Sequence, residues 1–353
     1  MCDRRAARLM EQKVMERKLI RGVGVASSRI GLGTWSIGGW MWGGSDDAEA
    51  VKTIRTALDL GITLIDTAPA YGFGRSEELV GQAIAEQGGR ERVLIATKVG
   101  LGWHAGAVYR DASAVRIRTE IEDSLRRLRT SYIDIYQVHW PDPLVPVEET
   151  AAQLARLFER GTIRAIGVSN FSPEQMETFR AVAPLHVVQS PYNLFERAIE
   201  TGVLPYAWRR GLTVLAYGAL CRGLLSGRMG PKTRFLGDDL RQTDPKFQPR
   251  RYGQYLAAVA ALDRLAHERY GKSVLALAVR FILDQGPTIA LWGARRPDQL
   301  APIDDVLGWR LDDETRATID RLLAELVTDP VGPEFMAPPA RETADRGPVA
   351  LRS

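Results

Sequence analysis

Four polar side chains follow apolar segments of the chain, at points where buried strands would end. The segments LIDTAPAYG, LIATKVG and DIYQVHW place Asp66, Tyr71, Lys98 and His139 at or just after these ends. A carboxylate, a phenol, an ammonium and an imidazole held together can carry out acid catalysis at a carbonyl group. This chemistry requires that the fold bring three successive strand ends to one place.

The expected role of each group follows from its ordinary acidity. A phenol has a pKa of about 10, too high for easy proton donation at neutral pH, and a neighbouring ammonium lowers that pKa. We therefore expect Tyr71 to be the general acid and Lys98 to lower its pKa. Asp66 would pair with the buried lysine, and His139 would donate a hydrogen bond to the substrate oxygen. Any one of these residues alone is more simply structural, so the joint placement carries the hypothesis.

The alternation of segments along the chain predicts a closed parallel barrel. Short apolar segments typical of strands alternate with longer segments of helical period, which indicates βα units. Their near-continuous hydrophobicity fits burial on both faces of a parallel sheet. The predicted strands are IGLGTW, TLIDTA, VLIATKV, IDIYQVH, IRAIGVSN, VVQSPYN, TVLAYGA and TIALWG. The predicted fold class is therefore α/β, a (β/α)8 TIM barrel, whose active site lies at the C-terminal ends of the strands.

Other segments predict the elements that complete the barrel. KLIRGVGVASSRI predicts a hairpin that closes the N-terminal mouth. Ser172 and Pro173 are typical of a helix start, and Gly61 of a helix end. The polar stretch from Cys221 to Gln254 is too long for an ordinary connection and predicts a functional loop over the opposite mouth. Two helices are predicted between this loop and the last strand.

We expect one folded domain with an extension at each end. Residues 1–14 are predicted to be a disordered extension, residues 15–327 a single barrel domain with extra C-terminal helices and loops, and residues 328–353 a proline-rich tail. The end of the tail is expected to be disordered. The sequence leaves open whether the tail segment PEFM reaches back across the pocket.

Composition disfavours several classes of protein. The chain has 353 residues, of which 45% are hydrophobic, enough for a large core. Lys and Arg number 47 against 43 Asp and Glu without a basic cluster, which disfavours a nucleic-acid partner. Cys2 and Cys221 alone do not make a disulfide framework, and we find no apolar run of membrane-spanning length. We expect a soluble cytoplasmic protein without a membrane partner, either a monomer or a small homo-oligomer.

The order of the segments resembles the aldo-keto reductase family. LIDTAPAYG, IATKVG, YQVHWP, IGVSNF, QSPYN and GARRPDQL follow one another as in that family. The resemblance implies that Asp66, Tyr71, Lys98 and His139 are the family's catalytic tetrad. It also implies an NAD(P)H-dependent reductase that transfers a hydride reversibly between nicotinamide and the carbonyl of an aldehyde or ketone.

The resemblance further implies a cofactor site at the same barrel mouth, and no G-x-G-x-x-G fingerprint indicates a Rossmann domain instead. Polar side chains would hold the carboxamide, Tyr217 the ring, glycine-rich backbone the pyrophosphate and WGARRPDQL the 2′-phosphate. The residues implied to contact the cofactor are Thr34, Trp35, Asp66, Ser169, Asn170, Gln189, Tyr217, Gly218, Leu220, Gly223, Leu225, Gly227, Arg228, Gly293, Arg295 and Gln299.

We expect the cofactor preference to be modest. An arginine at position 295 suits a phosphate dianion, yet Pro302 and Ile303 stand where the family commonly has Glu and Asn, so polar contacts to adenine are lost. NADPH should be preferred, and NADH should also be usable.

The predicted substrate wall is rich in indole, with Trp35, Trp103 and Trp140 as the expected contacts. Such a wall favours uncharged aldehydes and ketones as small-molecule substrates. One alternative keeps the fold and the nucleotide but not the turnover, as in a cofactor-binding regulatory subunit. A second, a metal-dependent isomerase or hydrolase, needs histidines at ligand spacing, whereas His104, His186 and His267 are widely separated.

Overall fold

A computed structural model describes residues 14–341, and these form a closed barrel of eight parallel strands. The predicted extension, apart from its last residue, and the final part of the predicted tail lie outside the described residues. The strands are β1 (Arg17–Leu19), β2 (Ala26–Ser28), β3 (Ile30–Gly33), β4 (Leu64–Asp66), β5 (Leu94–Val99), β6 (Leu101–His104), β7 (Ala107–Arg110), β8 (Ile133–Val138), β9 (Ile163–Ser169), β10 (Val187–Pro191), β11 (Thr213–Tyr217) and β12 (Thr288–Gly293).

The helices connect the barrel strands and surround them. They are α1 (Asp47–Asp59), α2 (Arg75–Gln87), α3 (Ala114–Arg127), α4 (Val147–Glu159), α5 (Pro173–Arg180), α6 (Val203–Arg210), α7 (Pro249–Tyr270), α8 (Val274–Leu283) and α9 (Asp313–Leu326). The barrel closes in the order β3-β4-β5-β8-β9-β10-β11-β12, with β12 paired to β3. The predicted TIM barrel is confirmed, and each predicted barrel strand is present. No helix of residues 14–341 has the length and apolar character needed to cross a membrane.

The hairpin β1–β2 closes the N-terminal mouth of the barrel, as the sequence predicts. Its strands are antiparallel, and the connection between them carries Ile20 and Val23 into an apolar cluster with the strand residues Leu64 and Leu94. These two leucines are the first residues of β4 and β5. The hairpin β1–β2 with its connection, residues 17–28, is called the plug below, and it packs at the end of the barrel opposite to Asp66.

Local capping explains where several helices begin and end. The Ser172 side chain accepts a hydrogen bond from the backbone N–H of Gln175, and the Gln175 side chain accepts one from the backbone N–H of Ser172. This capping box satisfies two N–H groups that the first turn of α5 leaves unpaired. Helix α1 is followed by Gly61, whose φ of +82° is accessible to glycine at low energy.

The structure corrects the boundary of the long loop and adds a hairpin that was not predicted. Helix α7 begins at Pro249 rather than after Gln254, because proline suits the first helical position. Strands β6 and β7 form a second hairpin directly after β5. Its four-residue strands and glycine-rich sequence carry too weak an alternation to reveal it. The C-terminal segment then crosses this hairpin, where Arg110 and Ala340 form a parallel bridge.

We predict that Ile20→Ala lowers the free energy of unfolding by about 2–5 kcal/mol, because a fully buried side chain of the plug is truncated. Urea denaturation followed by circular dichroism measures this change. Leu19→Ala is the matched control, since its side chain is 63% exposed, and it should change stability by less than about 0.5 kcal/mol. Equal effects of the two substitutions would show that the plug does not contribute to the core.

Candidate active site

The centre of the site is the ammonium group of Lys98, whose side chain is fully buried. Its Nζ donates to Asp66 Oδ2 at 2.8 Å, to the carbonyl oxygen of Thr67 at 2.9 Å and to Tyr71 Oη at 3.1 Å. An ammonium has three N–H donors, so these contacts use all of them. The predicted convergence of Asp66, Tyr71 and Lys98 is present in the structure.

The direction of these hydrogen bonds determines where the phenol proton can go. Tyr71 Oη accepts from Lys98, so its own O–H is left to donate elsewhere. The Tyr71 ring lines the cavity described below, stacks on Trp35 with centroids 6.0 Å apart and meets the edge of His139 at 5.8 Å. A carbonyl oxygen between Tyr71 and His139 could therefore accept a proton from the phenol.

The Asp66 carboxylate is held by both of its oxygens. Oδ2 accepts from Lys98, while Oδ1 accepts from Gln189 Nε2 at 2.8 Å and from Gln137 Nε2 at 3.4 Å. These amides come from β10 and β8, across the interior of the barrel. A buried carboxylate is tolerated when it is paired and hydrogen-bonded in this way. Gln189, expected at the cofactor, therefore also fixes the partner of the lysine.

The structure reverses one expectation about acidity. The sequence predicts that Lys98 lowers the pKa of Tyr71. In the structure, burial and then the charge of Asp66 raise that pKa well above its usual range. The physical reason is that the ammonium is already neutralised by Asp66, so little net positive charge reaches the phenol. Burial also lowers the pKa of Lys98, although Asp66 opposes this shift. Tyr71 is consequently protonated at neutral pH.

His139 is a neutral imidazole at neutral pH. Burial, followed by the charge of Lys98, lowers its pKa well below the usual range. A neutral imidazole donates from one ring nitrogen only. His139 follows the end of β8, and its backbone N–H donates to Val99 at the end of β5. It can therefore offer one hydrogen bond to a substrate without adding charge to the site.

A cavity of about 610 Å³ opens over these groups at the C-terminal mouth of the barrel. Its walls combine barrel-strand ends with indole rings, the hairpin β6–β7 and the C-terminal segment. The predicted site residues that line it are Trp35, Tyr71, His139, Trp140, Ser169, Asn170, Gln189 and Tyr217. Apolar walls with a few convergent polar groups are typical of small-molecule sites.

A second, narrower groove of about 170 Å³ adjoins this cavity, and Trp35, Tyr71 and Tyr217 line both. The predicted cofactor residues that line the groove are Thr34, Trp35, Asp66, Tyr217, Gly218, Leu220, Gly223, Gly293, Arg295 and Gln299. A bound molecule that runs along the groove would thus end beside Tyr71, where the two spaces meet.

The backbone of the groove suits a dinucleotide. A Cβ atom added at Gly33 or Gly293 would make only ordinary van der Waals contacts, with the nearest heavy atoms at 3.9 and 4.0 Å, and both glycines present backbone to the groove. Three arginines line the groove as well, and of these Arg222 and Arg241 pair with carboxylates, whereas Arg295 forms no ion pair among the described residues. Arginine side chains and exposed backbone are the groups that hold phosphates. The residues present therefore fit a phosphate-bearing cofactor.

Four predicted contacts lie outside both spaces. Leu225 is fully buried in the core. Gly227 packs close to Val274, and Arg228 is exposed and forms an ion pair with Asp298 at 3.4 Å. Trp103 packs against Phe73 and the guanidinium of Arg116 rather than lining the cavity. The expected contacts of these four residues with cofactor or substrate stay predictions.

Several lining residues were missed by the sequence argument. In the cavity they include Trp40, Met41, Leu101, Val108 and residues 337–339, whereas Phe335 and Met336 belong to PEFM, whose reach the sequence left open. In the groove they include Ser36, Trp42, Arg222 and Arg241. The motif GGWMWGG, which sets two indoles between glycine pairs just after β3, was a usable signal. Arg222 carried no such signal, since its unusual φ of 54° is known only from the structure.

Cys221 lies beside the groove, but its thiol is unreactive. Its side chain is fully buried, and burial raises the pKa of its thiol to about 12. A thiol is a much weaker nucleophile than a thiolate. Among residues 14–341, no group of three or more His, Cys, Asp or Glu side chains could hold a metal ion.

Comparison with known proteins identifies the family. The model of the aldo/keto reductase family matches residues 29–324. The chain belongs to the aldo-keto reductase family. It is 60% identical to the aldo-keto reductase YhdN of Bacillus subtilis (strain 168), over 93% of this chain and 99% of that protein.

Solved structures of other members share the fold. The glycerol dehydrogenase AKR11B4 from Gluconobacter oxydans is 54% identical, with a TM-score of 0.82 over 93% of this chain and 100% of that one. An aldo/keto reductase from Klebsiella pneumoniae, solved with NADP and acetate, is 30% identical, with a TM-score of 0.68 over 88% of this chain and 95% of that one. As a member of this family, the chain is an NAD(P)H-dependent oxidoreductase that transfers a hydride between nicotinamide and a carbonyl carbon.

Proposed function

We propose that the protein reduces uncharged aldehydes and ketones with NADPH, and that Tyr71 donates the proton. The observation that carries this proposal is the geometry at Lys98, whose three donors are committed and leave the Tyr71 hydroxyl proton free to donate into the cavity. The intact arrangement of Asp66, Lys98 and Tyr71 also argues for turnover rather than for a regulatory role in cofactor binding.

In the proposed reaction the side chains bind, orient and protonate the substrate. The nicotinamide, when bound, supplies the hydride to the carbonyl carbon. His139 donates a hydrogen bond that orients the carbonyl oxygen toward Tyr71, and Tyr71 transfers its proton as negative charge develops on that oxygen. The Lys98 ammonium then stabilises the resulting phenolate. In the direction of alcohol oxidation, the same phenolate accepts the proton.

The carboxamide end of the cofactor would meet Ser169, Asn170 and Gln189. In the structure Asn170 Nδ2 donates to the carbonyl oxygen of His139 and to Ser169 Oγ, each at 3.0 Å. Tyr217 Oη donates to Asn170 Oδ1 at 3.0 Å, which steadies the ring that would face the nicotinamide. The amide and the aromatic ring are therefore held before any ligand arrives.

The phosphate-binding end would be the loop after β12. Arg295 Nη1 donates to the carbonyl oxygen of Trp42 at 2.7 Å, and Arg295 forms no ion pair among the described residues. Gln299 Oε1 accepts from the backbone N–H groups of Arg295 and Arg296 and so shapes this loop. An unneutralised arginine there favours the extra phosphate of NADPH over NADH. Because Ile303 is buried in the core and offers no polar group to adenine, we expect the preference to be modest.

The substrates would be small, uncharged carbonyl compounds. Trp35, Trp40 and Trp140 give the cavity an apolar wall. The nearby carboxylates are already used, since Asp238 accepts from the backbone N–H groups of Met41 and Gly43. Nothing in this wall offers a dedicated anchor for a charged substrate. We further propose a cytoplasmic location, consistent with a buried, unpaired Cys221.

Tyr71→Phe should lower kcat for carbonyl reduction by about 100-fold to 10000-fold, because it removes the donated proton while keeping the ring. NADPH oxidation with benzaldehyde measures the rate, and fluorescence titration with NADPH should show an unchanged Kd. Tyr132→Phe, near the opposite mouth beside Arg90 and Arg164, is the matched control and should be fully active. Turnover by the Tyr71 variant would show that another group donates the proton. Loss of activity when the unaltered protein is treated with a chelator would favour a metal enzyme.

The raised pKa of Tyr71 predicts different pH dependences for carbonyl reduction and for alcohol oxidation. Reduction needs the phenol, which persists to high pH, so kcat for reduction should stay level between about pH 7 and pH 9. Oxidation needs the phenolate, whose fraction increases about tenfold per pH unit below the pKa, so alcohol oxidation should rise throughout this range. A reduction rate that falls above about pH 8 would contradict the assignment.

In reduction of the same aldehyde, NADPH should give a kcat/KM that is higher than that of NADH by about tenfold or less. Arg295→Ala should remove most of this difference, because it raises KM for NADPH alone. Steady-state kinetics with each cofactor measures both values. Arg296→Ala is the neighbouring control, because the Arg296 side chain pairs with Asp298 on the surface. Equal or better efficiency with NADH in the unaltered protein would overturn the preference.

A further inference from the structure

The C-terminal segment forms one wall of the substrate cavity, although it contains no barrel strand. After α9 the chain crosses the barrel mouth, and residues 335–339 line the cavity. Pro333, Pro338 and Pro339 lack backbone N–H groups, so this segment cannot be held as an ordinary paired strand. Its position must depend on other contacts.

The beginning of the segment is held by a buried lysine. Lys246, fully buried, donates from Nζ to the carbonyl oxygens of Val331 and Gly332. The same ammonium pairs with Glu196 at 2.8 Å. Glu196 also pairs with Arg222 at 2.6 Å. The three donors of Lys246 are thus committed to one carboxylate and two carbonyl groups of the crossing segment.

Contacts of Arg222 extend this attachment to the wall itself. The Arg222 guanidinium pairs with Asp244 as well as with Glu196 and lies 5.6 Å from the centre of the Phe335 ring. Phe335 lines the cavity. The buried ion pairs therefore support the wall from behind, where water cannot screen them.

The end of the segment is held by an arginine of the hairpin β6–β7. Arg110 Nε donates to the carbonyl oxygen of Pro338 at 2.8 Å, and the backbone N–H of Arg110 donates to Pro339 at 2.9 Å. Arg110 Nη1 donates to the carbonyl oxygen of Pro141 at 3.1 Å, and the guanidinium lies 5.3 Å from the Trp140 ring centre. One side chain thus connects the hairpin, the loop after His139 and the crossing segment.

We propose that Lys246 and Arg110 are positioning residues that fix the C-terminal wall and thereby determine which sizes of carbonyl compound bind productively. Both act on backbone carbonyl groups, and neither is among the residues that line the cavity. The two cations therefore hold the backbone of the wall, and the Phe335 side chain adds its contact with Arg222. The proposal rests on the proposed reductase function.

The test compares a bulky substrate that reaches the wall with a small one that does not. For 2-naphthaldehyde, Arg110→Met and Lys246→Met should each raise KM by about tenfold or more, because a displaced wall no longer contacts the ring. For propionaldehyde, KM and kcat should stay within about threefold, since the proton donor is untouched. Phe335→Ala should reproduce the selective rise for the bulky substrate, and Arg110→Lys should restore part of the loss.

Arg164→Met is the matched control. Arg164 also places its guanidinium over an aromatic ring, that of Tyr132 at 3.8 Å, and pairs with Asp134 at 3.1 Å, but it lies at the beginning of β9 near the other mouth. It should leave the ratio of the two KM values unchanged. Hydrogen exchange of residues 334–341 gives a second readout that does not depend on turnover. Exchange should accelerate in the Arg110 and Lys246 variants and not in the Arg164 variant.

The outcomes separate the two proposals. If the unaltered protein reduces neither aldehyde, the proposed function fails, whereas the exchange data still decide whether the two cations hold the wall. If the protein is active but Arg110→Met changes both substrates equally, or neither, the positioning proposal is overturned. Should Lys246→Met fail to fold, as judged by circular dichroism, Arg110→Met alone decides the matter.

Discussion

The site depends on one physical constraint, namely that a fully buried ammonium must have a hydrogen-bond acceptor for each of its protons. Lys98 meets this requirement with the carboxylate of Asp66, the carbonyl oxygen of Thr67 and the hydroxyl oxygen of Tyr71. Because the phenol oxygen is used as an acceptor, its proton is directed away from the lysine. Burial, and then the charge of Asp66, raises the pKa of the phenol, which is why it stays protonated. The buried ammonium thus sets the direction in which the acid can donate, and burial of the site sets its protonation state.

The closed barrel is what makes this constraint satisfiable. Lys98 lies near the end of β5, its partners lie at the end of β4 or in the loop that follows it, and the amides that hold Asp66 come from β8 and β10. In an open sheet β5 and β10 would be far apart, whereas barrel closure turns both toward one interior. The cavity and the groove meet over the same point, with Tyr71 and Tyr217 on the boundary between them.

Buried cations recur in the outer parts of the site, where they hold polypeptide rather than substrate. Arg222 and Lys246 share Glu196 behind the crossing segment. Arg110 holds the other end of the crossing segment through uncharged carbonyl acceptors. It needs no carboxylate partner because its side chain is more exposed than those of Arg222 and Lys246. In both places a cation donates to backbone carbonyl oxygens of the proline-rich crossing segment. Chemistry and shape are therefore maintained by the same type of interaction at different depths.

The sequence by itself determined the barrel, the end of the barrel that carries the chemistry, and the members of the central cluster. Those features follow from local periodicity and from polar residues at strand ends, which are readable without knowing any distance. The sequence could not determine how Leu225, Gly227, Arg228 and Trp103 lie relative to the cavity and the groove, because loop conformation depends on what packs around it. Only the tertiary structure decided the acidity of Tyr71, since that depends on burial and on a lysine already neutralised by Asp66. It alone also brought residues 335–339 to the cavity, because contacts between segments some 230 residues apart, such as that of Arg110 with Pro338, leave no periodic trace in the chain.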